Sequence, residues 1–557
     1  MKYKFYLTDA SSVLYPDASD LPPALSGLCV FSNEAAAFQV AVRCENQDGE
    51  SGSTSEIVTE LDSPISRYIT VYTVEETAAT RIGYDFGDDW MDRSGRGIYP
   101  DRLERLERGM FTAVTGYYRT LFFNVNERLD TVQSGTYPIR ISFFTSGVTW
   151  NGERTEREKL GEVTLTVTFL EEILPKQSII TTNWMHYDCM AVLSGTKPWS
   201  DAYFDVVRSY IELAVQNGQN AVFVPAFTPP LDTPVGEERM TTQLIKIEKL
   251  GDKYEFDLSL LDRFIRMAHD CGAEYFEHSH LFTQWGAAHA PKIIVREKGA
   301  ERKLFGWETA GDDPEYRRFL HEYLMTLKAY IVENGLKERF FFHVSDEPSE
   351  KWLDTYKSAA DFVHTELAGF SSGDALGEYR FYKEGLVQTP IVSTDCIESF
   401  IGKSERLWLY FTGLQSKEYM SNRVIGMPLA RCRVLGVQLY WYGFDGFLHW
   451  GFNAHHNRLS RRIFDPRISP DMGGDFPAGT SYLVYPDKDG AAPSLRLTAF
   501  RDAMQDYRIF KLMETKCGRE SVLSLIREYI PNIGLKCRVS ADELTALRKA
   551  AIHAIIS

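Results

Sequence analysis

The chain has 557 residues, 44% hydrophobic and 25% charged, an ordinary globular balance with enough apolar material for a large core. Its 61 basic and 77 acidic side chains leave a formal charge of −16, which argues against nucleic acid or an anionic membrane as the main partner, since neither is drawn to an acidic surface. Eight cysteines with no C-x-x-C spacing argue against a zinc ribbon or a disulfide framework and predict reduced, mostly buried thiols.

Read in chain order, the opening segment MKYKFYLTDASSVLYPD has no apolar stretch long enough for a signal peptide, and no later stretch has the length of a membrane span. The expectation is a cytoplasmic protein, or a secreted one if a leader had been removed. To about Pro175 the period is two. FQVAVRC, RYITVYTV, YPIRISF (Ile139, Ile141, Phe143) and GEVTLTVTF (Val163, Leu165, Val167, Phe169) each put their apolar residues on one face, with turn-like pieces such as ENQDGESGS and QSGTY between them. One buried face per strand predicts a two-sheet β-sandwich over residues 1–175.

After ILPKQS, short apolar runs alternate with amphipathic helices. IITTNWM, NAVFVPAF, AEYFEHSHLF, RFFFHVSDEP, TPIVSTD, RLWLYF, GFDGFLHW and SYLVYP supply about eight strands. That rhythm predicts a (β/α)8 TIM barrel over residues 176–515, so the fold class is α/β plus all-β, with a helical extension over 516–557. Nothing in the sequence sets an oligomeric state.

Barrel enzymes place their chemistry at the C-terminal ends of the strands. FFFHV reads as the fourth strand, and Asp346 and Glu347 sit at its end. Strand neighbours point to opposite faces, so both reach one pocket only if the chain bends, which Pro348 favours. Two close carboxylates do not ionise independently, which gives a protonated acid beside an ionised base. That suits glycosidic cleavage. Adjacency fits poorly with an acid and a nucleophile flanking the sugar. It fits a substrate-assisted route, in which a 2-acetamido oxygen attacks the anomeric carbon. The first carboxylate then holds the acetamido nitrogen, and the second is acid and later base. A surface turn is the bland alternative for D-E-P.

Other residues carry paired readings. Trp450 could stack under a sugar or fill the core, and Asn453 could hold a hydroxyl or shape a turn. Tyr410 could polarise the acetamido carbonyl or be a core tyrosine. His280 and Trp285, after the third strand, and Asn183 with Trp184, after the first, could contact substrate. Asp395, in VSTDC, is a reserve carboxylate; if it faced Glu347, an ordinary double displacement would return. His278 with His280, and His455 with His456, invite a metal, but no cysteine or carboxylate cluster completes a set, so neither a metal nor a cofactor is expected. Arg458 to Arg462 (RLSRR) could meet an anionic substituent or be a solvated loop. No phosphate-binding loop of the form G-x-x-x-x-G-K-[ST] is present.

HVSDEP, followed by GFDGFLHWGFN, SYLVYPDKDG and PSLRLTAFRDAMQDYRIF, resembles glycoside hydrolase family 123 and related proteins sharing its catalytic domain. HLFTQWGAAHAPKI, NAVFVPAFTPPLDT and GIYPDRL fit the same pattern, so the resemblance covers most of the chain. It implies an N-terminal β-sandwich before a (β/α)8 barrel. It implies a retaining exo-β-N-acetylgalactosaminidase with a glycan or glycoconjugate substrate, Asp346 stabilising the oxazolinium and Glu347 acting as acid/base. A glycosidase for another sugar using two opposed carboxylates, and a non-catalytic carbohydrate-binding scaffold, remain as alternatives.

Overall fold

The structure, a computed structural model, describes residues 2–45, 53–147, 155–488 and 490–557. The turn expected in ENQDGESGS therefore lies mostly outside the described residues. The N-terminal part holds two five-stranded sheets. One runs Lys2–Asp9, Ala36–Glu45, Tyr118–Val125, Ile69–Ala79, Gly97–Arg105; the other runs Leu28–Phe31, Lys159–Leu170, Gly135–Thr145, Thr54–Asp62, Met110–Val114. The alternating residues do what their period dictates: Ile139, Ile141, Phe143, Leu165, Val167 and Phe169 are buried in a core shared with Phe38, Val40 and Phe123 of the facing sheet.

The second part holds an eight-stranded parallel sheet. Its strands in chain order are β1 (Ile180–Asn183), β2 (Ala221–Val224), β3 (Tyr275–His278), β4 (Phe340–Phe342), β5 (Ser371–Leu376), β6 (Thr389–Ser393), β7 (Trp408–Tyr410) and β8 (Gly446–His449). They are hydrogen-bonded in the cyclic order β1-β8-β7-β6-β5-β4-β3-β2, a nearly closed barrel. The remaining seam, between β1 and β2, is bridged by side-chain amides. Asn220 Oδ1 accepts from the Thr181 N–H at 2.8 Å, and Gln219 Oε1 accepts from the Asn183 N–H at 3.1 Å.

Two strand expectations are corrected. SYLVYP is not a barrel strand: Val484–Asp487 pairs with Gly490–Pro493 in a separate hairpin. The barrel strand that takes its place is β5, SSGDAL, whose serines and glycine give it little strand character of its own. Smallness is what packing demands there, because a Cβ on Gly373 would lie 2.2 Å from the Thr389 carbonyl oxygen and 2.8 Å from the Phe341 ring. The strand–helix alternation is also uneven, since between β6 and β7 the only helical segment is the 3₁₀ turn Ile397–Ser399.

The helices follow their caps. Pro314–Glu333 starts at Asp313, whose carboxylate accepts from the Glu315 and Tyr316 N–H groups, with proline in the first turn. It buries Tyr316, Phe319, Tyr323, Leu327 and Ile331 along one stripe. Leu495–Cys517 is buried on several sides, because it lies between the barrel and the N-terminal sheets. Its Arg496 pairs with Asp101 (2.8 Å), its Arg501 donates to Asn124 Oδ1 (2.7 Å), and Gln505 exchanges two hydrogen bonds with the Ala35 backbone. GIYPDRL thus supplies, through Asp101, one half of a buried ion pair joining the two parts. None of the eight cysteines is in a disulfide; Cys29 and Cys517 are exposed, fewer thiols being buried than the sequence suggested. Among the described residues no helix is long and apolar enough to cross a membrane.

Candidate active site

Within β4 only three residues pair as strand, and Phe341 turns inward to stack on Trp408 with ring centroids 5.1 Å apart. His343 follows, fully buried between neighbouring strands. Its Nε2 lies 2.5 Å from Glu277 Oε1 of β3, and its Nδ1 lies 3.4 Å from Asp374 Oδ1 of β5, an ion-pair separation. Burial opposes a charge on this imidazole. The flanking carboxylates of Asp374 and Glu277 prevail and push its pKa up to about 10, so it is a cation at neutral pH. Glu277 also accepts from Trp184 Nε1 and the Thr182 hydroxyl, both at 2.7 Å. Asp374 accepts from the Val344 and Ser345 N–H groups at 3.0 and 3.2 Å. The triad therefore anchors the chain immediately before Asp346.

The bend that adjacency requires is made at Glu347, whose φ is 45°. A left-handed conformation is costly for a residue with a Cβ, on the order of 1–2 kcal/mol, and tertiary bonds hold it. The Glu347 N–H donates to the Ala375 carbonyl (3.0 Å), and the Asp346 carbonyl accepts from the Trp285 N–H (2.7 Å). Both carboxylates then line one cavity of about 390 Å³ at the C-terminal ends of the barrel strands. Tyr410 donates to Glu347 Oε1 at 2.7 Å. Burial and the Glu347 charge hold its phenol far above the ordinary range, so it stays a donor. The Asp346 carboxyl is pushed well above the usual carboxylate range by burial first and by the Glu347 charge second, with the His343 cation opposing.

Of the other candidate residues, Trp285 and Trp450 line the cavity with Tyr410, and so does Trp184. Three lie elsewhere. Asn183 is buried with its side chain on Arg423 and Gln219; Asn453 locks the His186 backbone through both amide atoms; His280 stacks on His343 at 4.7 Å. The two asparagines tie strand ends together, a use that a single sequence does not distinguish from ligand contact, while neither buried ring nitrogen of His280 has a hydrogen-bond partner within the protein. Asp395 is not among the lining residues and accepts from Gln415 Nε2 at 3.0 Å.

The histidine pairs do not converge. His278 meets the Tyr323 hydroxyl (2.8 Å), His455 the Val484 carbonyl (3.2 Å), and His456 the Asp188 carboxylate (3.0 Å). Among the described residues, His186, Asp188 and His456 are close enough to bind a cation. The Arg239 guanidinium already occupies them, with two bonds to Asp188 (2.5 and 2.8 Å) and one contact to His186 Nδ1 (3.0 Å), so the donor set does not fit a metal. In the RLSRR stretch, Arg458 lines the cavity, whereas Arg461 pairs with Glu237 and Arg462 covers Phe464.

Sequence reasoning missed Asp232 and Gln284, although both lie in segments that carried the family resemblance. An acid just after a strand end was a usable signal for Asp232. Arg81 and Tyr84 reach the cavity from the N-terminal part, and no local signal marks them.

The family model for the catalytic domain of glycoside hydrolase 123 matches residues 184–513, from the wall residue Trp184 through every barrel loop that reaches the cavity. The chain belongs to glycoside hydrolase family 123. This family 123 enzyme is a glycoside hydrolase, and its substrates are glycans. Its fold is similar over 100% of its length to 98% of a family 123 glycoside hydrolase from Clostridium perfringens, studied for glycolipid glycan hydrolysis, at 13% identity and a TM-score of 0.72. A family 5 mannosidase from Rhizomucor miehei matches 59% of this family 123 chain with 94% of its own, at 9% identity and a TM-score of 0.31. A search of curated protein sequences finds no match.

Proposed function

We propose that the enzyme is a retaining exo-glycosidase that removes a terminal β-linked 2-acetamido-2-deoxyhexose, N-acetylgalactosamine foremost, through an oxazolinium intermediate. The observation that carries this is the pair of consecutive carboxylates facing one cavity, with Tyr410 on Glu347 and burial acting on Asp346. The acetamido oxygen attacks the anomeric carbon while the one proton held by the adjacent carboxyl pair passes through Glu347 to the leaving oxygen, which leaves Asp346 ionised. Asp346 accepts from the acetamido N–H and stabilises the positive charge of the closed ring. That charge opposes the burial which favours a neutral Asp346, so stabilisation grows toward the transition state. Glu347 then takes a proton from the water that reopens the ring at the same face, and configuration is retained. A likeness to an enzyme of glycolipid glycans supports a glycoconjugate as the carrier of the terminal sugar. We read the paired sheets to about residue 175 as a β-sandwich. Residues 176–515 form a (β/α)8 catalytic barrel with one shortened crossover, and 516–557 a helical extension.

The test is initial rates on aryl β-glycosides of N-acetylgalactosamine, N-acetylglucosamine and galactose, with Asp346→Asn and Glu347→Gln alongside. Turnover confined to acetamido sugars and lost in both variants is the expected result, together with tight inhibition by a thiazoline mimic of the intermediate. Turnover of the plain galactoside, or indifference to the thiazoline, would refute substrate assistance.

A further inference from the structure

The proposed chemistry uses the acids after β4 and leaves two other cavity-lining carboxylates without a task, the exposed Asp475 and the half-buried Asp232. Asp232 follows β2 in the loop TPPLDTP and is built in the same way as Glu347. Its φ is 43°, against 45° for Glu347 and 64° for Trp285, so three cavity residues with bulky side chains sit in the left-handed region. Such strain persists only where the surroundings impose it, and it gathers at functional sites. Here it is imposed by a relay around the barrel rim. Asp232 N–H donates to Gln284 Oε1 (2.6 Å), Trp285 N–H to the Asp346 carbonyl (2.7 Å), and Glu347 N–H to the Ala375 carbonyl (3.0 Å). Each loop thus fixes the acid or ring presented by the loop beside it.

The carboxylate itself is incompletely used. Oδ2 accepts from the Leu459 N–H at 2.8 Å. Among the described residues no cation pairs with it: Arg239, close enough to attract it, is bonded to Asp188, and Arg458 lines the cavity without an ion pair. Burial raises its pKa to about 6, with the Leu459 N–H, Arg239, Arg458 and the Ser460 N–H opposing. A partly desolvated acceptor facing a cavity needs donors. The walls of that cavity are Trp184, Trp285 and Trp450, whose rings suit the apolar face of a pyranose.

We propose that Asp232 contacts substrate: its carboxylate accepts hydrogen bonds from ring hydroxyl groups of the sugar held against Asp346 and Glu347, and so selects which hydroxyl configuration the enzyme takes. This rests on the terminal-sugar reading above and adds a specificity-determining residue to it. Asp232 also tethers the Leu459 loop, and the test separates the two roles. Asp232→Asn keeps a carbonyl oxygen for the Leu459 N–H but loses the charge and one acceptor.

The experiment is calorimetric titration of the wild type and Asp232→Asn with N-acetylgalactosamine, N-acetylglucosamine, galactose, and the 3-, 4- and 6-deoxy analogues of N-acetylgalactosamine. The expected result is a loss of about tenfold or more for the parent sugar in the variant, with no loss for the analogue lacking the hydroxyl that Asp232 holds. Equal weakening of every sugar and analogue would assign Asp232 to loop anchoring alone, and unchanged affinities would remove it from the site; either overturns the proposal. If the wild type binds galactose as well as the acetamido sugars, and does so through Asp232, the proposal stands while substrate assistance falls. If it binds no sugar of the panel, both fall.

Discussion

Replacing Glu277 by Gln tests the triad beneath the candidate site. The substitution preserves shape and the acceptor oxygen for Trp184 and His343, and the new amide can donate to the Thr182 hydroxyl. What it removes is the charge 2.5 Å from the His343 cation, leaving Asp374 at 3.4 Å. Removing one partner of a buried pair costs about 3–5 kcal/mol. An independent bound agrees. His343 titrates near 6.5 when unfolded and near 10 when folded. At about 1.4 kcal/mol for each tenfold change, that gap is worth at most about 5 kcal/mol. The sign follows from the direction: a histidine raised by folding contributes stability fully present below pH 6.5 and lost as pH climbs through 10. The assay is urea unfolding of both proteins from pH 6 to 10. The expected outcome is a deficit of roughly 3 kcal/mol in Glu277→Gln near pH 6.5, shrinking toward pH 10 as the wild type loses the same contribution. A deficit independent of pH would show that His343 is not held as a cation, and the account of the strand end would fail.

Tyr410→Phe removes the 2.7 Å bond to Glu347 without opening a cavity; kcat/KM is expected to fall about 10- to 100-fold with unchanged melting, as steady-state kinetics beside a melting curve would show. Asp346→Asn is expected to abolish turnover yet unfold at higher temperature than the wild type at pH 7. The folded Asp346 carboxyl titrates above its unfolded value, so its ionisation penalises the folded state only as pH rises past the ordinary carboxylate range, and the difference should vanish at pH 4. Gly373→Ala forces a methyl group to within 2.2 Å of the Thr389 carbonyl oxygen; a loss of about 1–3 kcal/mol is expected in denaturant unfolding, and a neutral result would mean that β5 can move away from β6.

The sequence by itself determined the local order. Period-two runs such as YPIRISF became sheet strands because one face of each had to leave water, and the stripe on Pro314–Glu333 became a core-facing helix for the same reason. The strand end carrying Asp346 and Glu347 was legible because FFFHV is apolar and a proline follows the acids. The tertiary structure alone decided where local preference is weak. SSGDAL is a barrel strand since only small side chains fit between Phe341 and Thr389, whereas the more strand-like SYLVYP was left to a hairpin. It also decided which polar residues meet. Asn183 and Asn453 bond to neighbouring strand ends, and His280 stacks on His343. Asp232, Gln284 and the neighbours Arg81 and Tyr84, from three distant segments of the sequence, converge on the cavity. A side chain's own periodicity says which way it faces along its element. Which loops share a rim depends on strand order and closure, and these are set by packing among residues far apart in the chain.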